Sequence, residues 1–287
     1  MDKLTLPALY YSSDSSSRSL QNTYFYALYL NIGGLSAASV LSFFNHPSWI
    51  AASVQATLLL LTLCSSIYIA LNRPLRRWYA ARALAESVKT MAWRYACRAE
   101  PFDNDDAQSK VLFVERIREL TTQNSSVSGT PVPASTAAQI SADMTDVRGM
   151  SPDERLRIYI NLRVEDQLRW YTEKSASNET AARRLFLIIL LLNALAVTLA
   201  ISRVHFFTAE SWPTDIFVTL SACALTWFQS KKFGELSASY ALAAHEISSL
   251  RDLAPSNGSE DVLSKYIASA ESAFSREHTQ WVARQDH

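Results

Sequence analysis

The sequence has few of the residues that build disulfide frameworks, metal centres or catalytic sites. Its 287 residues include only three cysteines, Cys64, Cys97 and Cys223, whose spacing does not suit a metal, so neither a disulfide framework nor a zinc site is expected. It has no glycine-rich phosphate loop, and its five histidines are scattered. Because no nucleophile and base can be paired from their spacing, we expect no enzymatic activity, no catalytic residue, no metal and no cofactor.

Net charge is also absent. The chain carries 27 basic and 27 acidic residues, so the electrostatic footprint of a nucleic-acid-binding protein is missing and nucleic acid is not expected as a partner. The charges are unevenly placed, because no Asp, Glu, Lys or Arg lies between Arg18 and Arg73 or between Arg184 and Arg203. Uncharged stretches of this length are typical of segments that cross a lipid bilayer.

Four apolar segments are predicted as membrane spans, since about 20 apolar residues are needed to cross a bilayer. They lie at residues 24–44, 50–71, 185–201 and 212–230. The fourth has the weakest pattern because it contains Asp215, and the first is too long for a cleaved signal peptide. No segment alternates with the period of a strand. The predicted fold class is therefore all-α, an integral membrane protein with four transmembrane helices in two hairpins and long cytoplasmic helices.

Basic residues mark the predicted orientation of these spans. They flank the second, third and fourth spans at Arg73, Arg76, Arg77, Arg82, Arg183, Arg184, Lys231 and Lys232. The hairpin loops carry only Arg203. By the positive-inside rule, both hairpin tips face outward, and the N-terminus, the middle of the chain and the C-terminus face the cytoplasm.

The segments after the two hairpins are similar, which indicates a duplicated unit. Each runs from a basic residue through an alanine-rich helical stretch to a proline at the same distance, from Arg77 to Pro101 and from Lys231 to Pro255. The predicted division is a first unit, a flexible linker and a second unit, at residues 1–120, 121–150 and 151–287. The linker is expected because Thr121 to Thr136 is rich in Ser, Thr, Gly and Pro.

A long helix is predicted to begin at Ser151. This residue suits the N-cap, Pro152 suits the first helical position and Glu154 completes a capping box. No strong helix breaker follows before the end of the third span, and a bend is expected near Asn178. The C-terminal segment from Glu260 to Arg284 is predicted as an amphipathic helix with an apolar face of Leu263, Ile267, Ala270, Phe274 and Trp281.

The start of the long helix carries polar and aromatic residues at every fourth position. These ladder residues are Arg155, Tyr159, Arg163, Gln167 and Tyr171, with Trp170 beside them. They are expected either to join cytoplasmic helices within or between subunits, or to dock a partner or an anionic ligand. We favour a helix seam. The acids expected to pair with the two arginines are Glu86, Glu246 and Asp252.

Polar residues within the predicted spans are the candidates for lining a pore. A stripe in the fourth span consists of Asp215, Thr219, Cys223, Thr226 and Ser230, and further candidates are Gln55, Thr62, Ser66 and Asn193. Such groups can replace part of the water around an ion, but small polar residues also let helices pack closely and hydrogen-bond to each other. Packing is the commoner role, and pore lining is the hypothesis to be tested.

Several motifs resemble those of the SLATT family of bacterial membrane proteins. They are Pro7–Tyr10 with Asp14, Ser17 and Gln21, then Ala85–Tyr95 with Pro101 and Phe102, the ladder residues with Lys174, Ser239–Glu246, and Ser275–Trp281. Together they span most of the chain except the linker. The resemblance implies two fused two-span units of a family proposed to act as membrane effectors in bacterial conflict systems. There, a nucleotide-sensing or other partner triggers pore formation and arrests or kills the infected cell.

We therefore predict an oligomeric effector of the bacterial inner membrane that forms or gates an ion-permeable pore in an antiphage or abortive-infection system. A homo-oligomer is expected, because four spans do not easily enclose a water-filled path. The sequence has no recognisable sensor domain, so the trigger is expected to be a separate sensor protein or a nucleotide signal. The alternative is a membrane-anchored helical scaffold or sensor that recruits a cytoplasmic partner without conducting.

Overall fold

The structure, a computed structural model, describes residues 3–44, 48–128, 138–205, 212–256 and 259–283. Within these ranges every regular element is helical, which confirms the predicted all-α class. The elements are α1 (Ala8–Phe44), α2 (Trp49–Asn72), α3 (Pro74–Ala96), α4 (Asp106–Ser128), α5 (Ala142–Gly149), α6 (Pro152–Tyr159), a π-helical segment (Ile160–Val164), α7 (Glu165–His205), α8 (Thr214–Lys231), α9 (Phe233–Asp252) and α10 (Glu260–Ala283).

The chain forms two units, each assembled from segments that are distant in sequence. The span unit comprises Thr23–Arg73 and Lys174–Ser239. The core unit comprises Met1–Asn22, Pro74–Glu173 and Tyr240–His287. Helices of both predicted repeats therefore contribute to each unit.

Three helices in the described part are long and apolar enough to cross a membrane. They are α1, α2 and the continuous helix from Pro152 to Val204. Their surfaces expose large apolar side chains, such as Leu191, which is 67% exposed. The predicted fourth span coincides with α8, which does not reach the same apolar character. Three candidate spans are thus present, and the fourth stays a prediction.

A helix break follows the second helix of each predicted hairpin. Arg73 ends α2 and Lys232 ends α8, with φ angles of 43° and 50°. In each case the backbone N–H of the basic residue donates to a carbonyl four residues earlier, that of Ile69 or Phe228, over 3.1 Å. A left-handed conformation costs a residue other than glycine roughly 1–2 kcal/mol. Each predicted repeat therefore has a basic residue in this conformation at the end of its second helix.

Within the span unit, α1 and α2 approach closely at Gly34. A Cβ atom on Gly34 would lie 2.4 Å from Cγ2 of Thr62, whereas a Cβ atom on Gly33 would meet nothing within 4 Å. The side-chain amide of Asn31 also donates to the hydroxyl of Ser66 over 2.7 Å. The hairpin is therefore held by close backbone approach and by hydrogen bonds, as helices in a bilayer commonly are.

We expect Gly34→Ala to weaken this contact by about 1–3 kcal/mol, because the added methyl group overlaps a stiff β-branched side chain. Gly33→Ala is the matched control and should be neutral, or stabilising by up to about 1 kcal/mol, because alanine favours a helix. Adding Thr62→Ser to Gly34→Ala removes the overlapping Cγ2 atom and should recover most of the loss. Thermal unfolding of the detergent-solubilised protein measures all three, and equal stability of the two alanine variants would contradict the close approach.

The segment predicted as a flexible linker differs from that expectation. Helix α4 continues into it as far as Ser128, and α5 occupies Ala142–Gly149. Residues 129–137 lie outside the described ranges. The N-terminal segment docks on the start of α5, where the backbone N–H and the hydroxyl of Thr5 both donate to Asp143.

Arg148 fixes α5 to the turn between α3 and α4. Its side chain is 3% exposed. Its guanidinium donates to the carbonyls of Tyr95 and Phe102 over 2.7 and 2.9 Å and to the carboxylate of Asp106 over 2.8 Å. A buried cation with this set of acceptors holds α5 in one place, so this part of the predicted linker is a structural element of the core unit.

The long helix predicted from Ser151 begins as expected. The backbone N–H of Ser151 donates to the carboxylate of Glu154 over 3.0 Å, which completes the capping box. The helix is not interrupted near Asn178. The irregularity lies earlier, at the π-helical segment Ile160–Val164. This segment contains no proline or glycine from which an irregular turn could be predicted.

Candidate functional site

The ladder residues form a buried seam in the core unit. Arg155, Tyr159, Arg163, Gln167 and Tyr171 are each 9% exposed or less, and Trp170 packs against Tyr240 with ring centroids 5.3 Å apart. Arginine is almost never fully buried unless it is paired. The burial of two ladder arginines therefore requires acidic or carbonyl partners inside the unit.

The π-helical segment explains how residues four apart stay on one face. In a regular α-helix each residue turns by about 100°, so the five ladder positions would drift by about 160° in total. A π-type bulge takes one extra residue into a turn, which reduces this drift to about 60°. Here the backbone N–H of Glu165 donates to the carbonyl of Ile160, five residues earlier. The spacing of four residues between ladder positions is therefore matched to the π-helical turn, which keeps those positions on one face.

Arg163 and Glu271 form the centre of the seam. Nε and Nη2 of Arg163 donate to the two carboxylate oxygens of Glu271, each over 2.8 Å, and the hydroxyl of Tyr159 donates to the same carboxylate over 3.0 Å. The guanidinium carbon also lies 4.7 Å from the centre of the Phe274 ring. Two parallel charge-assisted hydrogen bonds fix orientation as well as distance. They hold α10 against the π-helical segment.

Arg155 joins a second point of α10 to the seam. It forms an ion pair with Glu260, the first residue of α10, and its Nη1 donates to the carbonyl of Cys97 over 3.4 Å. Burial, the largest cause, raises the pKa of the Cys97 thiol despite the opposing charge of Arg155. This cysteine therefore stays a neutral core residue.

The acids predicted to pair with the two arginines have other surroundings, so this part of the prediction is corrected. Glu86 pairs with Arg82 at 2.8 Å, Glu246 is exposed and Asp252 pairs with Arg251 at 3.2 Å. The acid at the centre of the seam, Glu271, was missed. It lies among the buried apolar residues of α10, namely Leu263, Ile267, Ala270 and Phe274. A single acid within an apolar helical face is the sequence signal that could have found it.

A further charge lies beside the seam at Lys89. Its ammonium nitrogen is 3.8 Å from the Glu86 carboxylate. Burial and then the positive charge of Arg163 lower the pKa of Lys89, and the charge of Glu86 opposes them. Within the residues that the structure describes, no three His, Cys, Asp or Glu side chains are close enough to hold a metal ion.

In the span unit, part of the predicted α8 stripe faces α1 of the same chain. The hydroxyl of Ser39 donates to the hydroxyl of Thr219 over 3.2 Å, and the hydroxyl of Ser36 lies 3.5 Å from the thiol of Cys223. Cys223 is buried. These two stripe positions therefore lie at a contact between helices of one chain.

The predicted polar positions of α2 also face α1. Thr62 is buried against Gly34, Gln55 donates to the carbonyl of Ala38 over 3.3 Å, and Ser66 accepts from the amide of Asn31. Helix α1 thus lies between α2 and α8 and supplies polar partners to both.

The other side of α8 carries a second set of small and polar residues. This outer α8 face consists of Asp215, Ala222, Thr226 and Gln229, all exposed. On a helix these four residues fall within an arc of about 60°, and the exposed apolar residues Val218 and Leu225 border that arc on one side. The predicted stripe is therefore split: Asp215 and Thr226 lie on the outer face, Ser230 is partly buried, and Thr219 and Cys223 face α1. Asn193 of α7, the remaining candidate, is exposed.

Comparison with protein families gives two matches that together cover nearly the whole chain. Residues 7–156 match SMODS and SLOG-associating 2TM effector domain 3, and residues 159–281 match SMODS and SLOG-associating 2TM effector domain 1. No curated protein and no solved structure matches the chain. The two matches meet within the ladder, directly before the π-helical segment.

Proposed function

Because the chain belongs to the SLATT family and carries two of its two-transmembrane effector domains in tandem, we propose that it is an oligomeric membrane effector that forms or gates an ion-permeable pore. The outer α8 face carries this proposal. Asp215 and Gln229 lie on this uncovered face near the two ends of α8, and the small residues Ala222 and Thr226 lie between them. A face with small and polar groups at these positions suits a helix that lies beside water. One chain does not easily enclose a water-filled path, so several copies would each contribute an α8 helix.

The proposed topology has four spans, with α8 as the fourth and both termini in the cytoplasm of a bacterial cell. The basic residues at the helix breaks, Arg73 and Lys232, and the exposed pair Arg183 and Arg184 support this orientation. A water-lining helix tolerates lower hydropathy than a lipid-facing one, which agrees with the weaker apolar character of α8. The core unit then lies in the cytoplasm, where a signal can reach it.

The proposed trigger acts on the core unit from outside the chain. The matched domains are described as associating with SMODS and SLOG, which supports a separate sensor protein or a nucleotide signal as the cue. Both α1 and α7 contribute residues to the core unit and to the span unit without a helix break. A structural change at the seam can therefore be passed along a continuous helix to the spans. Opening of the pore would then arrest the infected cell.

Membrane potential in bacterial cells that express the chain tests this proposal. At high expression we expect a fraction of the chains to open without the cue, so the wild type should depolarise the cells. Thr226→Val should slow the depolarisation severalfold, because it removes a hydroxyl from the outer α8 face. Thr57→Val is the matched control: both threonines are exposed, and their hydroxyls donate to a carbonyl of their own helix over 2.9 and 2.8 Å.

Two results would count against the proposal. Equal slowing by Thr226→Val and Thr57→Val would remove the outer α8 face from the ion path. A steady potential in uninfected cells with verified membrane levels of the wild type would contradict a pore that opens without its cue. A potential that also stays steady during phage infection of those cells would favour the membrane-anchored scaffold that recruits a partner.

A further inference from the structure

Asn193 lies in the middle of the apolar part of α7 and has no hydrogen-bond partner within the described residues. Its side chain is exposed among apolar neighbours. The exposed Thr198, five residues further along α7, differs because its hydroxyl donates to the carbonyl of Ala194 over 2.9 Å. An amide has two donors and an acceptor that its own helix does not satisfy. Hydrocarbon chains offer no partner for it, so the bare amide is costly in the bilayer.

The apolar part of α7 is exposed on nearly every side, and Asn193 singles out one row of its residues. This Asn193 face consists of Phe186, Leu190, Asn193, Val197, Ala200 and Val204, all exposed. Their spacings alternate between four and three residues, which is the pattern of a helix that packs lengthwise against another helix. Ala200 is small enough to let a neighbouring backbone approach. A single asparagine within such an apolar row is known to set the register of paired helices.

We propose that the Asn193 face of α7 packs against the same face of α7 in a second copy of the chain, with the two Asn193 amides hydrogen-bonded to each other. An amide is its own complement, because each copy offers both a donor and an acceptor, and a twofold contact places like residues together. A twofold contact closes with two copies, so a pore of several copies would be assembled from such pairs. The proposal rests on the proposed function only in that α7 crosses the bilayer. A water-filled surrounding for Asn193 is the competing outcome of the test below.

Disulfide cross-linking in membranes tests this contact. The exposed Cys64 is first replaced by alanine, and Asn193→Cys is then compared with Leu191→Cys. Leu191 is 67% exposed and lies about 160° around the helix from Asn193. Mild oxidation should give severalfold more covalent dimer with Asn193→Cys than with Leu191→Cys. Equal yields, or more dimer from Leu191→Cys, would overturn the proposed contact.

Two further measurements support or overturn the same contact. Asn193→Leu should shift the detergent-solubilised protein toward smaller assemblies or change their size distribution, whereas Thr198→Val should not. Rapid reaction of Asn193→Cys with a membrane-impermeant thiol reagent, without dimer formation, would place this position in water and overturn the contact. Failure of the contact leaves wild-type depolarisation unchanged, and failure of the pore leaves cross-linking unchanged, so the two proposals are separable.

Discussion

Glu271→Ala should lower the free energy of unfolding of the core unit by about 3–5 kcal/mol, because it leaves the buried guanidinium of Arg163 without its charged partner. Glu271 is 0% exposed and accepts hydrogen bonds from both Arg163 and Tyr159. Chemical unfolding followed by the helical circular dichroism signal measures the loss. We expect the purified variant to unfold at a clearly lower denaturant concentration than the wild type.

Asp166→Ala is the matched control for this prediction. Asp166 pairs with Arg169 at 3.0 Å, but both side chains are more than half exposed, and exposed pairs contribute about 1 kcal/mol or less. The double variant Arg163→Met with Glu271→Leu provides a second test. It replaces the buried charges with apolar side chains and should recover much of the stability that Glu271→Ala loses. A Glu271→Ala loss no larger than that of Asp166→Ala would show that the pair does not hold the seam together.

Deleting Asn161 should be tolerated, whereas deleting Arg169 should unfold or grossly destabilise the core unit. Both side chains are exposed, so the difference comes from the backbone. Removing one residue from the π-helical segment converts its irregular turn to a regular one and keeps the ladder on one face. Removing one residue from the regular helix turns the following residues by about 100° and moves Tyr171 away from Tyr240. In the wild type these two rings lie 5.6 Å apart.

The yield of folded protein and its melting temperature measure both deletions. The expected order of stability is wild type, then the Asn161 deletion, then the Arg169 deletion well below either. An equal loss of stability in the two deletion variants would contradict the idea that the π-helical segment only accommodates one extra residue. It would mean that the seam requires the shape of this segment.

Local features of the fold were readable along the chain. The apolar stretches coincide with helices, the capping box at Ser151 is formed, and the described positions of the predicted apolar face of α10, from Leu263 to Phe274, are buried. These features depend on hydrophobic period and on neighbours within one or two turns. The predicted linker differs from the structure because its content of Ser, Thr, Gly and Pro gives no information on the contacts of Arg148. The carbonyls that accept from Arg148 belong to Tyr95 and Phe102, far from it in the sequence.

The site was predictable only in part, because it depends on which faces of the helices contact each other. The ladder was visible as a row of polar and aromatic residues, but its arginines were assigned to Glu86, Glu246 and Asp252, whose chemistry is as suitable as that of Glu271. In the α8 stripe, five polar residues at helical spacing gave no means of separating Thr219 from Thr226. A helix wheel orders side chains around one axis, and it contains no information about the neighbour on each side.

The sequence by itself determined that this protein is helical, that it has long uncharged segments suited to a bilayer, and that it belongs to a family of membrane effectors. The first two properties depend on residues that are close together in the sequence, and family membership depends on the order of short motifs along it. Only the tertiary structure decided that Arg163 binds Glu271, 108 residues later, that a π-helical segment aligns the ladder, and that α1 covers one side of α8 and leaves the other open. Those outcomes depend on the burial of charge and on packing between segments that are distant in the sequence. A buried charge needs a charged partner beside it in the fold, and that partner can lie far away along the chain.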